Sequence, residues 1–124
     1  MRKTYREGGG FEEAAAYSRA VRIGQHVSVS GTAARDGGDA YAQTREAIAR
    51  ALAGAAKLGA SKEDVLRTRL LLTPECDWQG AIRAHAEAFA GVDPANTTYF
   101  VSGFIPEGVL VEVELDAIVP DPPR

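Results

Sequence analysis

The sequence predicts an α+β fold in which a mixed, mainly antiparallel sheet carries two helices on one face, in the order β-β-α-β-α-β-β. Three observations lead there. Two alternating segments, "SRAVRIG" and "HVSVSG", meet at Gly24 and Gln25; two alanine-rich stretches have apolar residues at helical spacing; and the chain ends in the strictly alternating "VLVEVELDAIV".

The elements follow in order. Residues 1–16, with three consecutive glycines in "GGGFEEAAA" and little apolar pattern, are expected to form an arm or loop ahead of a single domain over 17–124. Residues 18–24 and 26–31 read as a hairpin turning at Gly24 and Gln25, with Val27 and Val29 on one face and Ser28 and Ser30 on the other. Asp39 is expected to cap a helix that runs to Gly59, which suits the left-handed position just past a helix end. Its stripe contains Tyr41, Thr44, Ile48, Ala51, Leu52, Ala55 and Leu58, small enough on balance to lie close against a sheet.

Residues 65–73, "VLRTRLLLT", read as a strand with Leu66, Thr68, Leu70 and Leu72 toward the helices and Arg67, Arg69 and Leu71 on the other face. The second helix spans 77–91, with Trp78, Ala81, Ile82, His85 and Phe89 on its apolar stripe, so Trp78 is expected in the core and His85 as a packed histidine. Two strands complete the chain, "TTYFVSGF" and "VLVEVELDAIV", separated by "IPEG". In the last, Val111, Val113, Leu115 and Ala117 share one face, and Glu112, Glu114 and Asp116 the other, about 7 Å apart in succession. Carboxylates so spaced repel one another, and Arg67 and Arg69 are their natural partners. A face mixing arginine, glutamate, serine and leucine implies an oligomer interface with polar clefts.

Composition narrows the function. The chain has 124 residues, room for one domain, with 45% apolar and 25% charged residues, an ordinary globular balance. A net charge of −3 gives no basic footprint for nucleic acid, and no nucleic-acid partner is expected. One cysteine, Cys76, closes no disulfide within the chain, and no basic-then-apolar leader precedes Phe11. The expectation is a cytoplasmic protein with no membrane partner. His26 and His85 lie far apart with no Cys or carboxylate at ligand spacing, so neither a metal nor a cofactor is expected.

The pieces "VSVSGTA", "DAYAQTREAIARALAGAAKLGASKEDVLRTRLLLT", "DWQGAIRAHAEAF", "DPANTTYF" and "VLVEVELDAI" together resemble the Rid family of reactive-intermediate deaminases, the YjgF-like proteins formerly labelled L-PSP endoribonucleases. The resemblance covers about residues 17–119 and rests on order and spacing. It implies a chorismate-mutase-like fold, a homotrimer, and small-molecule clefts between subunits. In the deaminase branch the motif is Pro-Ala-Arg-Ser, and its arginine grips the carboxylate of a 2-imino acid; here Pro94 and Ala95 are followed by Asn96 and Thr97. By the same resemblance Glu112 matches a glutamate that orients or activates water, Tyr17 and Ser30 match cleft-lining positions, and Thr98 stands where many relatives have cysteine. Arg69 is a candidate replacement cation for an anionic ligand.

Structural readings stand beside these. Glu112 is equally a partner for Arg67 or Arg69, and Asn96 and Thr97 equally a polar turn after proline. The function expected is a deaminase-type hydrolase acting on something other than typical 2-imino acids, with 2-imino acid turnover weak or absent. The alternatives are a non-catalytic metabolite-binding module and, disfavoured by charge, an RNA-cleaving translation inhibitor.

Overall fold

The computed structural model describes residues 1–121, so the last three residues of the expected 17–124 domain lie outside the described part. The chain forms one six-stranded sheet, β1 (Arg2–Tyr5), β2 (Ala20–Ile23), β3 (His26–Ala33), β4 (Val65–Leu72), β5 (Ala95–Phe100) and β6 (Val111–Ile118), in the spatial order β1-β2-β3-β6-β4-β5. Every neighbouring pair is antiparallel except β4 with β5, which are parallel and need the crossover between them. That crossover is α3 (Trp78–Phe89), and α2 (Ala40–Ala56) links β3 to β4.

Local chemistry sets the boundaries. Gly24, at φ +61, takes the first turn position between Ile23 and His26, the place where a two-residue type II′ hairpin turn requires glycine. The Asp39 carboxylate accepts from the Ala42 N–H at 2.8 Å and caps α2, and Gly59, at φ +93, ends its trailing turn. Asp77 caps α3 through the Gly80 N–H at 3.2 Å.

Both long helices cover one face of the sheet. Ala47, Ala51 and Ala55 of α2 are fully buried against it, as are Val27 of β3, Leu70 of β4, and Val111 and Val113 of β6. Alanines let the α2 backbone approach closely, and Phe89 and Ile48 fill the remaining volume at the same depth. The alternation of β6 is as expected: Val111, Val113, Leu115 and Ala117 point inward, and Glu112, Glu114 and Asp116 outward.

The structure corrects four expectations. The first sixteen residues are not only an arm: β1 adds an edge strand to β2, and α1 (Gly10–Ala15) follows. The start of α1 is held by Glu12, whose carboxylate accepts from the N–H groups of Glu7, Gly8 and Gly9 at 3.2, 2.8 and 2.9 Å. Leu66 does not face the helices; β4 is irregular between Val65 and Arg67, so Val65 takes the buried place and Leu66 turns out to 57% exposure. Trp78 is not in the core: at the first position of α3 it lies beyond the packed part of the stripe and is 50% exposed, while Ala81, Ala84 and Phe89 carry the burial. Finally, β5 begins at Ala95 and ends at Phe100, earlier than its apolar run indicates, because Val101 closes the ladder by bonding to the Leu72 carbonyl at 2.8 Å.

Phe89→Ala should therefore destabilise the fold by about 3–5 kcal/mol and Trp78→Ala by about 1 kcal/mol or less, as read by urea unfolding. Equal costs would contradict this division of the α3 stripe.

Candidate functional site

The open face of the sheet is organised in rows set by strand register. Asp116 of β6 stands opposite Arg67 of β4, Glu114 opposite Arg69, and Glu112 opposite Leu71. Beyond β4 the rows continue to Ala95, Thr97 and Tyr99 of β5. Two of the three carboxylates thus face arginine and the third faces leucine. Arg69 Nη1 lies 3.6 Å from Glu114 Oε1 and 3.4 Å from Asp116 Oδ2, while Arg67 Nη1 donates to Thr97 Oγ1 at 2.9 Å. Asp116 also accepts from Ser28 Oγ at 2.6 Å and lies 3.4 Å from His26 Nε2. Burial alone would raise the Asp116 carboxyl, but the Ser28 and His26 hydrogen bonds, with Arg69 nearby, carry it below its ordinary value.

Glu112 has a different environment. Among the described residues its carboxylate forms no ion pair and no hydrogen bond, and it is half-buried. Burial pushes its carboxyl above the ordinary value, with Arg19 offsetting part and Glu114 adding to the rise. It lies over Gly31, where a Cβ would meet Glu112 Oε1 at 2.6 Å, so glycine is what leaves room for it.

That glycine sits in a bulge. Between Val29, opposite Leu115, and Thr32, opposite Val113, both Ser30 and Gly31 face the single residue Glu114. Arg19 holds the bulge from behind, its Nη2 donating to the Ser30 carbonyl at 3.3 Å, the Gly31 carbonyl at 3.0 Å and Thr32 Oγ1. Glu7 in turn fixes Arg19 Nε at 3.4 Å. The Ser30 hydroxyl donates to the Ser18 carbonyl at 2.6 Å, which leaves its lone pairs as acceptors.

Above the bulge is an open cleft of about 520 Å³ lined by Tyr17, Ser30, Gly31 and Glu112, with Phe11 of α1 on one rim and Phe104 and Ile105 of the β5–β6 loop on the other. Phe11 and Ile105 are 62% and 87% exposed, apolar rims with no cover within the protomer. The sequence-predicted Tyr17, Ser30 and Glu112 are therefore brought together, and Gly31, Phe11 and Phe104 join them. The sequence signal for Gly31 was a glycine following Ser30 within an alternating strand, a mark of a bulge.

The other predicted residues lie apart from this cleft. Arg69 is engaged by Glu114 and Asp116, and Thr97 by Arg67. Asn96 and Thr98 project to the helix side of β5. There Asn96 Nδ2 donates to Thr68 Oγ1 at 3.0 Å, Thr98 Oγ1 donates to Asn96 Oδ1 at 2.7 Å, and Thr68 Oγ1 lies 2.7 Å from His85 Nε2. Burial lowers the His85 pKa. His85 also packs against Phe89, ring centroids 4.8 Å apart, the packed histidine its stripe predicts. Among the described residues no cluster of His, Cys, Asp and Glu suits a metal ion, and no helix is long and apolar enough to cross a membrane.

A sheet with paired helices on one face and a charged, half-apolar opposite face is the architecture of a known class, and comparison identifies it. A sequence model of the family described as Endoribonuclease L-PSP matches residues 10–119, and the chain belongs to that family. It is 40% identical over 116 residues to a protein of Streptomyces coelicolor described as uncharacterized protein SCO2049, covering 89% of this chain and 87% of that one. Among solved structures it is similar to Rv2704 of Mycobacterium tuberculosis, a member of the YjgF/YER057c/UK114 family, at 41% identity and a TM-score of 0.91 over 96% of this chain and 100% of the other. A yeast protein, YEO7, shares the fold at 17% identity and a TM-score of 0.84, over 97% of this chain and 100% of that one. The fold is the chorismate-mutase-like fold of these YjgF proteins.

Because the folded state holds the Glu112 proton at a pH where the unfolded chain has lost it, Glu112 subtracts stability as pH rises above the ordinary carboxylate range. Glu112→Gln should therefore melt about 2–4 °C above the unaltered chain at pH 7, and the gap should close by about pH 4. A variant that melts lower at pH 7 would show that Glu112 has a stabilising partner.

Proposed function

We propose that the chain is a homotrimeric, deaminase-type hydrolase whose clefts lie between subunits, with a substrate other than a 2-imino acid. The observation that carries the reading is the half-buried Glu112 carboxylate, with no ion pair or hydrogen bond among the described residues, beside Tyr17 and Ser30 and over Gly31. A carboxylate whose basicity is raised by burial is better suited than an exposed one to taking a proton from water. In the reaction water attacks the carbon of a protonated C=N bond, the π pair moves to nitrogen, and Glu112 takes the proton of the water. Glu112 then returns that proton to nitrogen, the C–N bond breaks with its electron pair leaving on nitrogen, and the hydroxyl proton passes by way of Glu112 to the departing ammonia, so that ammonium and a carbonyl compound leave.

Assembly into a trimer is supported by the protomer itself. Phe11 and Ile105 leave the cleft rim uncovered, and Tyr99 and Phe100 of edge strand β5 are 43% and 54% exposed. Tyr17, Ser30 and Glu112 line one cleft while Asn96, Thr97 and Thr98 lie on β5, so a site using both groups is built from two copies. Asn96 in place of arginine argues against typical 2-imino acids. Its amide is uncharged and is already bonded to Thr68 and Thr98.

Gel filtration with light scattering should give roughly three times 13.1 kDa. Turnover of 2-iminopropionate, generated in situ by an amino-acid oxidase, should be about two to three orders of magnitude below that of an arginine-bearing relative, and Asn96→Arg should raise it. A stable monomer would overturn the shared cleft, and turnover equal to the relative would overturn the substrate reading. A panel of imines with no Glu112-dependent ammonia release would leave a metabolite-binding module in place of a hydrolase.

A further inference from the structure

We propose that the cleft over Gly31 selects a cation: a protonated imine or amine whose substituent is aromatic or otherwise apolar and carries no carboxylate. This rests on the reading of that cleft as the functional site and adds the charge and shape of what enters it.

The hydrogen-bonding inventory of the cleft is one-sided. Its lining includes the unpaired carboxylate of Glu112 and that of Glu114, which shares Arg69 with Asp116, and no lysine, arginine or histidine among the described residues. Ser30, its proton committed to the Ser18 carbonyl, faces the cleft as a third acceptor. Only the Tyr17 hydroxyl remains as a side-chain donor in the lining. An N–H-bearing cation finds acceptors in this arrangement, whereas an anion finds like charge.

None of the neighbouring cations lines the cleft. Arg19 turns its guanidinium to the carbonyls of the β3 bulge and to Glu7. Arg69 pairs with Glu114 and Asp116, and Arg67, with one hydrogen bond to Thr97 and no ion pair among the described residues, lies outside the lining of this cleft. From the β5 side, Asn96 brings an uncharged amide, tied to Thr68 and Thr98, where a carboxylate clamp would stand. The rest of the lining is the rings of Phe11, Tyr17 and Phe104 with Ile105 and Pro106. Aromatic faces attract cations and apolar groups alike and reject a solvated carboxylate.

The net reaction needs no oxidant: R–CH=NH₂⁺ and water give R–CHO and NH₄⁺. Glu112 is then the group that meets the iminium, ion-pairing with the substrate before it accepts the proton of the water.

Calorimetric titration of the unaltered chain with benzylammonium and with benzoate, probes of the same ring and opposite charge, decides the question. The expected result is that benzylammonium binds and benzoate does not, and that Glu112→Gln weakens benzylammonium binding about tenfold or more. Benzoate binding as tightly as benzylammonium, or no benzylammonium binding at all, would overturn the proposal. The comparison of the two probes needs no variant, so it stands even where Glu112→Gln folds poorly. The hydrolase reading is separated by a second assay, in which the imine is made from benzylamine by an amine oxidase and ammonia release is followed. Glu112-dependent binding of benzylammonium without accelerated release supports the cation site and removes the hydrolase.

Discussion

The open face of this protein turns on a mismatch between two neighbouring strands: β6 presents three carboxylates and β4 only two arginines. Register decides which carboxylate goes without. Asp116 and Glu114 fall opposite Arg67 and Arg69, and Glu112 falls opposite Leu71. Arg69 alone pairs with both Glu114 and Asp116, while Arg67 turns to Thr97; such cross-strand ion pairs contribute only about 0.2–1 kcal/mol each, so they matter less for their own energy than for leaving Glu112 out. The half-buried carboxylate that results has its proton affinity raised by burial, with the neighbouring glutamate adding and Arg19 subtracting. A group that lowers stability where it stands is the kind of feature found at sites kept for function.

The second constraint is the bulge in β3, which converts that carboxylate into one side of a cleft. With Ser30 and Gly31 both facing Glu114, the strand bends, and the missing side chain of Gly31 makes room for Glu112. Arg19 spends its donors on the bulge carbonyls and Glu7, which fixes the backbone and removes the guanidinium from the cleft. One arginine thus holds the bulge while its charge, acting on Glu112 from outside the lining, offsets part of the effect of burial. Helix α1, set by Glu12 binding three successive N–H groups, brings Phe11 to the rim.

Much of this was legible in the sequence because period-2 and period-3.6 patterns report burial directly. The outward row of Glu112, Glu114 and Asp116, the alanine stripe of α2, the Gly24–Gln25 turn and the Asp39 cap all follow from local pattern. What failed was whatever depends on a single inserted residue or on contacts distant in the chain. An irregularity at Leu66 exchanges it with Val65 on the buried face, and an unbroken apolar run hides the exchange. Three glycines obscured β1 and α1, whose order comes from β2 pairing and from Glu12. Trp78 fitted the helical stripe but lies past the edge of the sheet's cover. Of the candidate site, Tyr17, Ser30 and Glu112 converge as the family resemblance implies. The shared face of Arg69 and Glu112 was readable, whereas the pairing of Arg69 with Glu114 and Asp116 required the register.

The central claim is that Glu112, unlike Asp116, has no partner among the described residues and is harder to ionise. It is tested most directly by following the side-chain carboxyl carbons of Glu112 and Asp116 by NMR as pH is varied. The account predicts that Glu112 titrates above the ordinary carboxylate range and Asp116 below it. Glu112 titrating at or below the ordinary value would contradict the account, because it would reveal a partner that stabilises the charge.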